Sequence, residues 1–484
     1  MTTQANDPSA PRSDFLSTPA DEIPHLRAGA LSTVDLVAAG MAQIAPAIAS
    51  FFVLGAIVAV AGVGTPLVVL IAGLGFAFHV NSTAEFNRTI PSAGSYVTYL
   101  GRAFGDRVGA AGAAVFTLAQ LTIGMALFYQ VGVWTASSVQ AAFGVTLAWW
   151  IPTLVVEAAV AALVVIGIRL SIRVAITMFL FEIAILALGA LAMLIHQHAA
   201  ISAAGFLPSH ITSGLGGLGL GFPLAIFLFL GASTPAPLAE ETTRPRRAVP
   251  MAVFTACALA IVIYVGVAWA QGIGFRNNVA ALTKVPFPFI TAAGNAFGPM
   301  TDLMYLAGFT SAVAVLLAFA NSTSRVWYSM ARDGLLPSWL NATHPTFKTP
   351  ARVVISAAAL MMVATLVLGV LAGADNGFGW SASFGTIGLV LIFIAVNFAL
   401  TAFYFRQRRA QFSVARHVAA PLIGTVAFAW PLWQTVNPGQ ASPFNWFGAA
   451  WIGLLVLAVV YGHLMARRGV KVGSHLAAAD GAAV

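Results

Sequence analysis

The chain has 484 residues, of which 59% are apolar and only 8% are charged. Soluble domains average about 25% charged residues, and a single soluble core stops growing at roughly 250–300 residues. This composition therefore excludes an ordinary soluble protein and predicts a membrane protein. Its net charge of +8 could suggest a nucleic-acid partner, but the distribution of the charges argues against one. The single cysteine, Cys257, excludes an intrachain disulfide, and no His/Cys cluster indicates a metal site.

Residues 1–30 are polar and lack the apolar core of a secretory signal peptide, which predicts a disordered tail. A membrane span needs about 20 mostly apolar residues, and backbone groups in lipid must be satisfied internally, so the spans are predicted to be helices. The sequence contains twelve such stretches, near residues 36–60, 66–86, 108–134, 147–167, 172–195, 215–239, 249–273, 300–328, 353–372, 384–405, 419–436 and 446–466.

The basic residues predict the orientation of these spans. An even number of spans puts both termini on one side of the membrane. If that side is the cytoplasm, only Arg276 and Lys284 fall outside, and every other Lys or Arg lies inside or at an inner helix end. Cytoplasmic loops of membrane proteins are rich in Lys and Arg. We therefore predict a multi-pass protein of the plasma membrane, embedded in the lipid bilayer, with both termini cytoplasmic and no nucleic-acid partner.

Two of the predicted spans contain helix-breaking residues. The first has Pro46 near its middle, and the sixth contains Gly231, Pro235 and Pro237. Discontinuous helices at corresponding positions of two halves are typical of transporters, whose substrate sites lie at such breaks. The first and sixth spans are five spans apart, as a repeat of five helices requires. For Pro46 alone, a simple kink remains an alternative.

Three motifs at predicted inner helix ends resemble those of one known family. PSAGSYVTYLGRAFG follows the second span, LAEETTRPRRAVP follows the sixth, and SRVWYSMARDGLLP ends the eighth. They are similar to motifs of the amino acid–polyamine–organocation (APC) permease superfamily, over roughly residues 30–410. The resemblance implies an all-α integral membrane fold of the LeuT type, a 5+5 inverted repeat within twelve transmembrane helices, with helices 1 and 6 broken. It implies repeats at 31–195 and 215–405, two accessory helices at 419–466 and a cytoplasmic tail at 467–484.

The same resemblance implies a substrate site at the two breaks. Where the family has a Gly-Ser-Gly-type stretch, this chain has AQIAPAIAS, so the chemical class of the substrate stays open. In the sixth span Phe227 would be an aromatic lid, and Ser233 replaces a Glu found in some exchangers of cationic substrates. The residues expected to bind substrate are Ile44, Ala45, Pro46, Ala47, Phe227, Phe229, Leu230, Gly231 and Ser233.

Few ionisable residues lie within spans, where their cost makes them candidates for function. Glu182 stands where proton-coupled relatives carry a Lys, and Thr310 and Ser311 stand where sodium-coupled relatives use hydroxyl ligands. These three residues are the expected coupling site for H⁺ or for Na⁺, since hard cations prefer oxygen ligands and a buried carboxylate can take up a proton. Alternatively, Glu182 only hydrogen-bonds a neighbouring helix. For Glu157 and His79 we favour such a structural role.

The acidic residues after the sixth span predict a cytoplasmic gate. Glu240 and Glu241 lie at its inner end, and Arg88 and Arg325 are expected across the same face. Ion pairs of this kind would form and break during alternating access. An ordinary interfacial salt bridge is the alternative.

Together these features predict a secondary transporter of amino acids or related organic amines, coupled to H⁺ or Na⁺. A solute-for-solute exchanger of the same fold is an alternative. A channel would need pore-lining rings or a filter motif, and none is recognisable. Motifs of hydrolases, metalloenzymes and nucleotide-binding enzymes are absent from plausible contexts, so neither an enzyme nor a cofactor is predicted.

Overall fold

The structure is a computed structural model that describes residues 26–212, 214, 221–222, 224–285, 287–437 and 439–473. Within these ranges the only β-type pairing is an isolated parallel bridge between Leu31 and Thr242. The predicted all-helical class is therefore confirmed. Most of the two predicted tails lies outside the described residues, as do residues 215–220 and 223 of the predicted sixth span.

The described helices follow the predicted spans in order. The first part of the chain contains α1 (Thr33–Ile44), α2 (Pro46–Ala61), α3 (Thr65–Thr89), α4 (Ser95–Phe104), α5 (Asp106–Phe143), α6 (Trp150–Ile166) and α7 (Ile168–His196). The second part contains α8 (Pro245–Gly274), α9 (Val279–Leu282), α10 (Pro288–Ala296), α11 (Met300–Arg332), α12 (Ala351–Ala372), α13 (Ala374–Gln407), α14 (Ala420–Val436) and α15 (Phe444–Arg467).

Eight of the described helical stretches are long and apolar enough to cross a membrane. The first, Thr33–Thr89, contains α1, α2 and α3 and so covers the first two predicted spans; the others are α5, α7, α8, α11, α12, α13 and α15. Helix α6 is apolar but shorter. The chain is thus a multi-pass membrane protein, and the count of twelve spans stays a prediction.

The chain breaks between α1 and α2, where the sequence has Pro46. Helix α1 begins with a capping box in which Ser32 and Asp35 satisfy each other's backbone N–H groups, and it ends at Ala45 in the left-handed conformation (φ 53°, ψ 64°). Pro46 has no N–H to donate and is well suited to the first position of a helix, so α2 starts there. For a non-glycine residue the left-handed conformation costs about 1–3 kcal/mol, which the packing around the break must offset.

The sixth segment, as we call residues 224–241, is irregular near its middle. Its first residues are helical, but Leu230–Ser233 and Ala236–Glu241 form two short 3₁₀ helices on either side of Pro235. Pro235 and Pro237 remove backbone donors that a regular helix would use. This tighter backbone runs beside α1 and α8, with which it is in contact.

The breaks lie in the interior of the bundle, while other helices face outward. In α5, α11 and α13 most of an 18-residue apolar stretch is buried inside the protein. In α15 only 17% of the corresponding stretch is buried. Helix α15 packs on the outer side of α5, and α14 packs on α3. Large apolar side chains such as Val262 and Val370 are exposed on the outer faces, as lipid contact requires.

The packing of α4 against α5 depends on two glycines, and this yields a first prediction. A Cβ atom on Gly109 would lie 2.8 Å from the Cα atom of Gly101, so a larger residue must push backbone aside. We expect Gly109→Val to lower the free energy of unfolding by about 1–3 kcal/mol, the usual cost of overpacking. The matched control is Gly453→Val in α15, where a Cβ would meet no atom within 4 Å. Melting temperatures of the purified variants in detergent test this, and equal melting temperatures would contradict it.

Candidate functional site

A cavity of about 100 Å³ lies between the two breaks and the helices α5, α11 and α13. Of the residues expected at a binding site, Ile44, Ala45, Phe227, Leu230, Gly231 and Ser233 line this cavity. The other three expected residues, Pro46, Ala47 and Phe229, do not line it. Phe229 is fully buried and packs instead against the rings of Phe76 and Tyr264.

Gly231 brings the sixth segment into direct contact with the backbone of α1. A Cβ atom at this position would lie 2.5 Å from the carbonyl carbon of Gln43 and 2.6 Å from the nitrogen of Ile44. These atoms belong to the main chain and cannot rotate away. Only glycine fits here, and it fixes the distance between the two breaks.

The N–H groups at the start of α2 all have acceptors from the protein itself. The Ala47 N–H donates to Oε2 of Glu182 (3.1 Å) and the Ile48 N–H donates to Oγ of Ser311 (3.3 Å). Pro46 has no N–H, and the Ala45 N–H donates to the Met41 carbonyl. A helix N-terminus carries a partial positive charge, so the carboxylate of Glu182, wholly buried on α7, stabilises it.

The carbonyl side of the same break is also engaged. The Tyr264 hydroxyl on α8 donates to the Ile44 carbonyl over 2.8 Å. In the sixth segment the carbonyls of Phe229 and Gly231 accept the N–H groups of Ala232 and Thr234. No local signal in the sequence singles out Tyr264, because a tyrosine in an apolar span is common and its partner is 220 residues away.

The expected coupling residues are only partly brought together. Glu182 and Ser311 meet at the N-terminus of α2, from α7 and α11 respectively. The Thr310 hydroxyl instead donates to the Ala307 carbonyl of its own helix, 3.0 Å away. No group of three or more His, Cys, Asp or Glu side chains in the described ranges could hold a metal ion.

The remaining wall of the cavity is mainly apolar, contains several amide and hydroxyl side chains, and carries no ionisable group other than a tyrosine hydroxyl. Gln120 donates through Nε2 to the Thr323 hydroxyl (2.7 Å) and thereby links α5 to α11. No local signal in the sequence indicates these residues, because a glutamine or a threonine within a span does not stand out as a charged residue does. The polar lining residues beyond those predicted are Gln43, Tyr96, Gln120, Gln130, Thr234, Ser322 and Thr323, and the aromatic ones are Phe116, Phe319, Phe378 and Phe393.

Two ion pairs close one end of the bundle, which we call the basic end because the last turns of α3 and α11 carry Arg88 and Arg332 there. Nε of Arg325 lies 2.8 Å from Oε2 of Glu241, with the two side chains 0% and 1% exposed. Arg332 and Glu240 approach to 2.9 Å and are partly exposed. The strand-like bridge of residues 31 and 242 lies beside these pairs, and the Leu31 N–H donates to the Glu241 carbonyl.

Arg88 does not join these pairs. It binds Glu85 one turn earlier on α3, with 2.7 Å between the charged atoms. Glu85 also lies 3.5 Å from Nε2 of His417, whose Nδ1 accepts the Ser413 N–H. Burial lowers the pKa of His417, and the neighbouring carboxylate acts in the opposite direction.

Three other ionisable residues of the predicted spans do not line the central cavity. His79 hydrogen-bonds Asn397 through Nδ1 (3.0 Å) and stacks on Phe393, which gives it a structural environment. Glu157 borders a separate small cavity next to Phe319. Asp302 lies in the first turn of α11.

At the end opposite the basic end, a vestibule of about 390 Å³ approaches the central cavity. Phe227 and Phe378 border both spaces. These two rings therefore separate the central cavity from the vestibule, while the buried Arg325–Glu241 pair lies between that cavity and the basic end.

A family model for amino acid permeases matches residues 35–437, most of the chain. The chain belongs to the amino acid permease family. It is 26% identical over 315 residues to the branched-chain amino acid permease BcaP of Bacillus subtilis, covering 60% of this chain and 64%, less than two thirds, of that relative. It is 24% identical over 454 residues to the methylthioribose transporter of the same organism, covering 88% of this chain and 92% of the relative.

A plant relative is also similar to this permease. The vacuolar cationic amino acid transporter 4 of Arabidopsis thaliana is 26% identical over 202 residues, 39% of this chain and 30% of the relative. Relatives with an assigned activity are transporters rather than enzymes. The chain is accordingly a membrane transporter of amino acids or related solutes.

The close approach at Gly231 gives a second prediction. In Gly231→Ala the added methyl group would press on the backbone of α1 at 2.5–2.6 Å, so the breaks must separate and the cavity must change shape. We expect the variant to insert into the membrane but to lose at least tenfold in solute uptake. Gly266→Ala on α8, whose Cβ would meet no atom within 4 Å, is the control. Uptake by cells with matched surface expression measures the effect, and normal uptake by Gly231→Ala would contradict it.

Proposed function

We propose that this permease is a secondary active transporter that moves a small organic solute through the central cavity by alternating access. The observation that carries the proposal is a cavity between two helix breaks, with a buried ion pair on one side and an aromatic pair on the other. A transporter needs barriers that open in turn. A channel needs a continuous pathway, and the ion pair and the two rings stand in the way of such a pathway here.

The finer architecture is part of the proposal. Twelve spans, a LeuT-type inverted repeat at 31–195 and 215–405 and two accessory helices at 419–466 fit the breaks in the first and sixth predicted spans. The peripheral packing of α14 and α15 supports their accessory role. The basic end is taken as cytoplasmic because it carries the excess of Arg, and the plasma membrane is the proposed location.

The conformation corresponds to a state closed toward the cytoplasm. The Arg325–Glu241 and Arg332–Glu240 pairs, together with the backbone bonds of Leu31, tie the ends of α1, α11 and the sixth segment together. Opening the cytoplasmic side requires these contacts to break. On the other side, rotation of Phe227 or Phe378 would join the cavity to the vestibule.

The contacts of Glu182 favour H⁺ over Na⁺ as the coupling ion. Glu182 and Ser311 each accept an N–H group of α2, while the Thr310 hydroxyl bonds its own helix and is not available beside them. A sodium ion needs several oxygen ligands converging on it. A proton needs only the carboxylate, and protonation would weaken the cap on α2 and loosen the break.

Replacement of the Glu182 carboxyl group tests the proposed coupling to H⁺. In Glu182→Gln the side chain can still accept the Ala47 N–H but cannot carry a proton through the cycle. We expect proton-driven accumulation to be lost in proteoliposomes, while counterflow exchange without a gradient remains. The probes are labelled leucine and labelled methylthioribose, chosen from the names of the two bacterial relatives. Glu157→Gln, which removes a carboxylate outside the central cavity, is the control, and proton-driven accumulation by Glu182→Gln would disprove the coupling role.

Substitution of two adjacent glutamates, Glu240 and Glu241, tests the proposed cytoplasmic gate. Breaking a buried ion pair by removing one partner costs about 3–5 kcal/mol, and this cost would apply only to the state in which the pair is formed. Glu241→Gln should therefore shift the protein toward a cytoplasm-open state, whereas Glu240→Gln, at a pair that solvent partly reaches, should cause a smaller shift.

The readout is the labelling rate of a cysteine placed at Ser322, which lines the cavity, in a Cys257→Ala background. An impermeant maleimide added from the cytoplasmic side should label the Glu241→Gln variant at least tenfold faster than the parent. Equal labelling of the parent and both variants would mean that the pair is only a structural salt bridge.

A further inference from the structure

The central cavity differs from a site for a zwitterion in the state of its backbone groups. A zwitterionic solute needs N–H donors for its carboxylate and carbonyl acceptors for its ammonium, and helix breaks offer both. Here the Ala47 and Ile48 N–H groups are occupied by Glu182 and Ser311, and the Ile44 carbonyl accepts from Tyr264. These backbone groups of the first break therefore have their hydrogen-bond partners within the protein.

The position of Glu182 adds an electrostatic argument. Ala47 and Glu182 do not line the cavity, so the donors of Ala47 point away from any bound solute. Glu182 and Ser311 already accept the first two N–H groups of α2, so a solute carboxylate would find neither of these donors free. An unpaired charge inside a protein is strongly unfavourable.

The side chains that do face the cavity suit an uncharged polar molecule. Gln43, Gln120 and Gln130 contribute amides, and Tyr96 and Ser322 contribute hydroxyls. Amides and hydroxyls both donate and accept hydrogen bonds, as solute hydroxyl and amide groups do. The Oε1 atom of Gln43 is buried and has no hydrogen-bond partner among the described residues, so it is an acceptor available to a solute.

We infer that the transported solute is a small uncharged molecule bearing hydroxyl or amide groups, without a free carboxylate or ammonium. This inference rests on the proposed function and specifies the substrate class of its central cavity. The amide side chains bind the polar groups of the solute, and the phenylalanine rings of the wall cover its apolar part.

The test compares two probes that share a hydrocarbon skeleton but differ in charge, and adds a third probe that is neutral and rich in hydroxyl groups. Leucine is the zwitterion, 4-methylpentanamide keeps its carbon chain with a neutral amide, and methyl ribofuranoside is a neutral polyol. A ligand that binds only the folded protein raises its melting temperature by mass action. At millimolar concentrations we expect one or both neutral probes, but not leucine, to raise the melting temperature of the purified permease.

A variant links binding to the cavity. Gln130→Leu removes a buried amide of the lining and should weaken binding of the neutral probes about tenfold, the loss of one hydrogen bond. Gln140→Leu at the exposed end of α5 is the matched control and should bind like the parent.

Either of two results would overturn the inference: leucine bound as tightly as the neutral probes, or no neutral probe bound at all. Failure of the transport proposal looks different. In that case a neutral probe would stabilise the protein but would show no counterflow in proteoliposomes.

Discussion

The carboxylate of Glu182 at the N-terminus of α2 holds together the part of the molecule on which the cavity depends. A break in a membrane helix leaves backbone groups without partners, and lipid cannot satisfy them. Here three helices supply the missing partners: α7 through Glu182, α11 through Ser311 and α8 through Tyr264. The strained conformation of Ala45 persists because these surrounding contacts determine it. Loss of any one of them would free a polar group in the protein interior, so the break couples three packed helices to the shape of the site.

The barriers on the two sides of the cavity differ in their chemistry, and this difference has mechanical consequences. The basic end is closed by a fully buried ion pair, whose separation is costly unless water or new partners reach both charges. The opposite side is closed by Phe227 and Phe378, whose rings can turn without breaking a hydrogen bond. In the proposed transport cycle, opening toward the vestibule requires only side-chain rotation, while opening at the basic end requires whole segments to move. The bond between Leu31 and Glu241 makes the start of α1 move with the sixth segment.

Local sequence signals predicted the parts of this molecule that depend on local chemistry. Long apolar stretches predicted the helices, and Pro46 and Gly231 predicted the breaks. The missing N–H of proline and the missing Cβ of glycine affect the backbone at their own positions in the chain. The partners could not be read in the same way, since Ala47 and Glu182 are 135 residues apart. Thr310 and Ser311 are neighbours in sequence but lie about 100° apart around a helix, so only one of them faces the break. Arg88 was expected at the gate, but it has a closer partner one turn away on its own helix.

The contact at Gly231 divides the cavity into a fixed wall and an adjustable one. Because the sixth segment touches the main chain of α1 there, neither surface can gain a side chain without separating the breaks. The opposite wall, formed by α5 and α11, is made of side chains such as Gln120, Gln130 and Thr323 that can be exchanged without moving backbone. Changes in solute preference, whether they arise by natural selection or by design, are therefore expected on the faces of α5 and α11 that line the cavity.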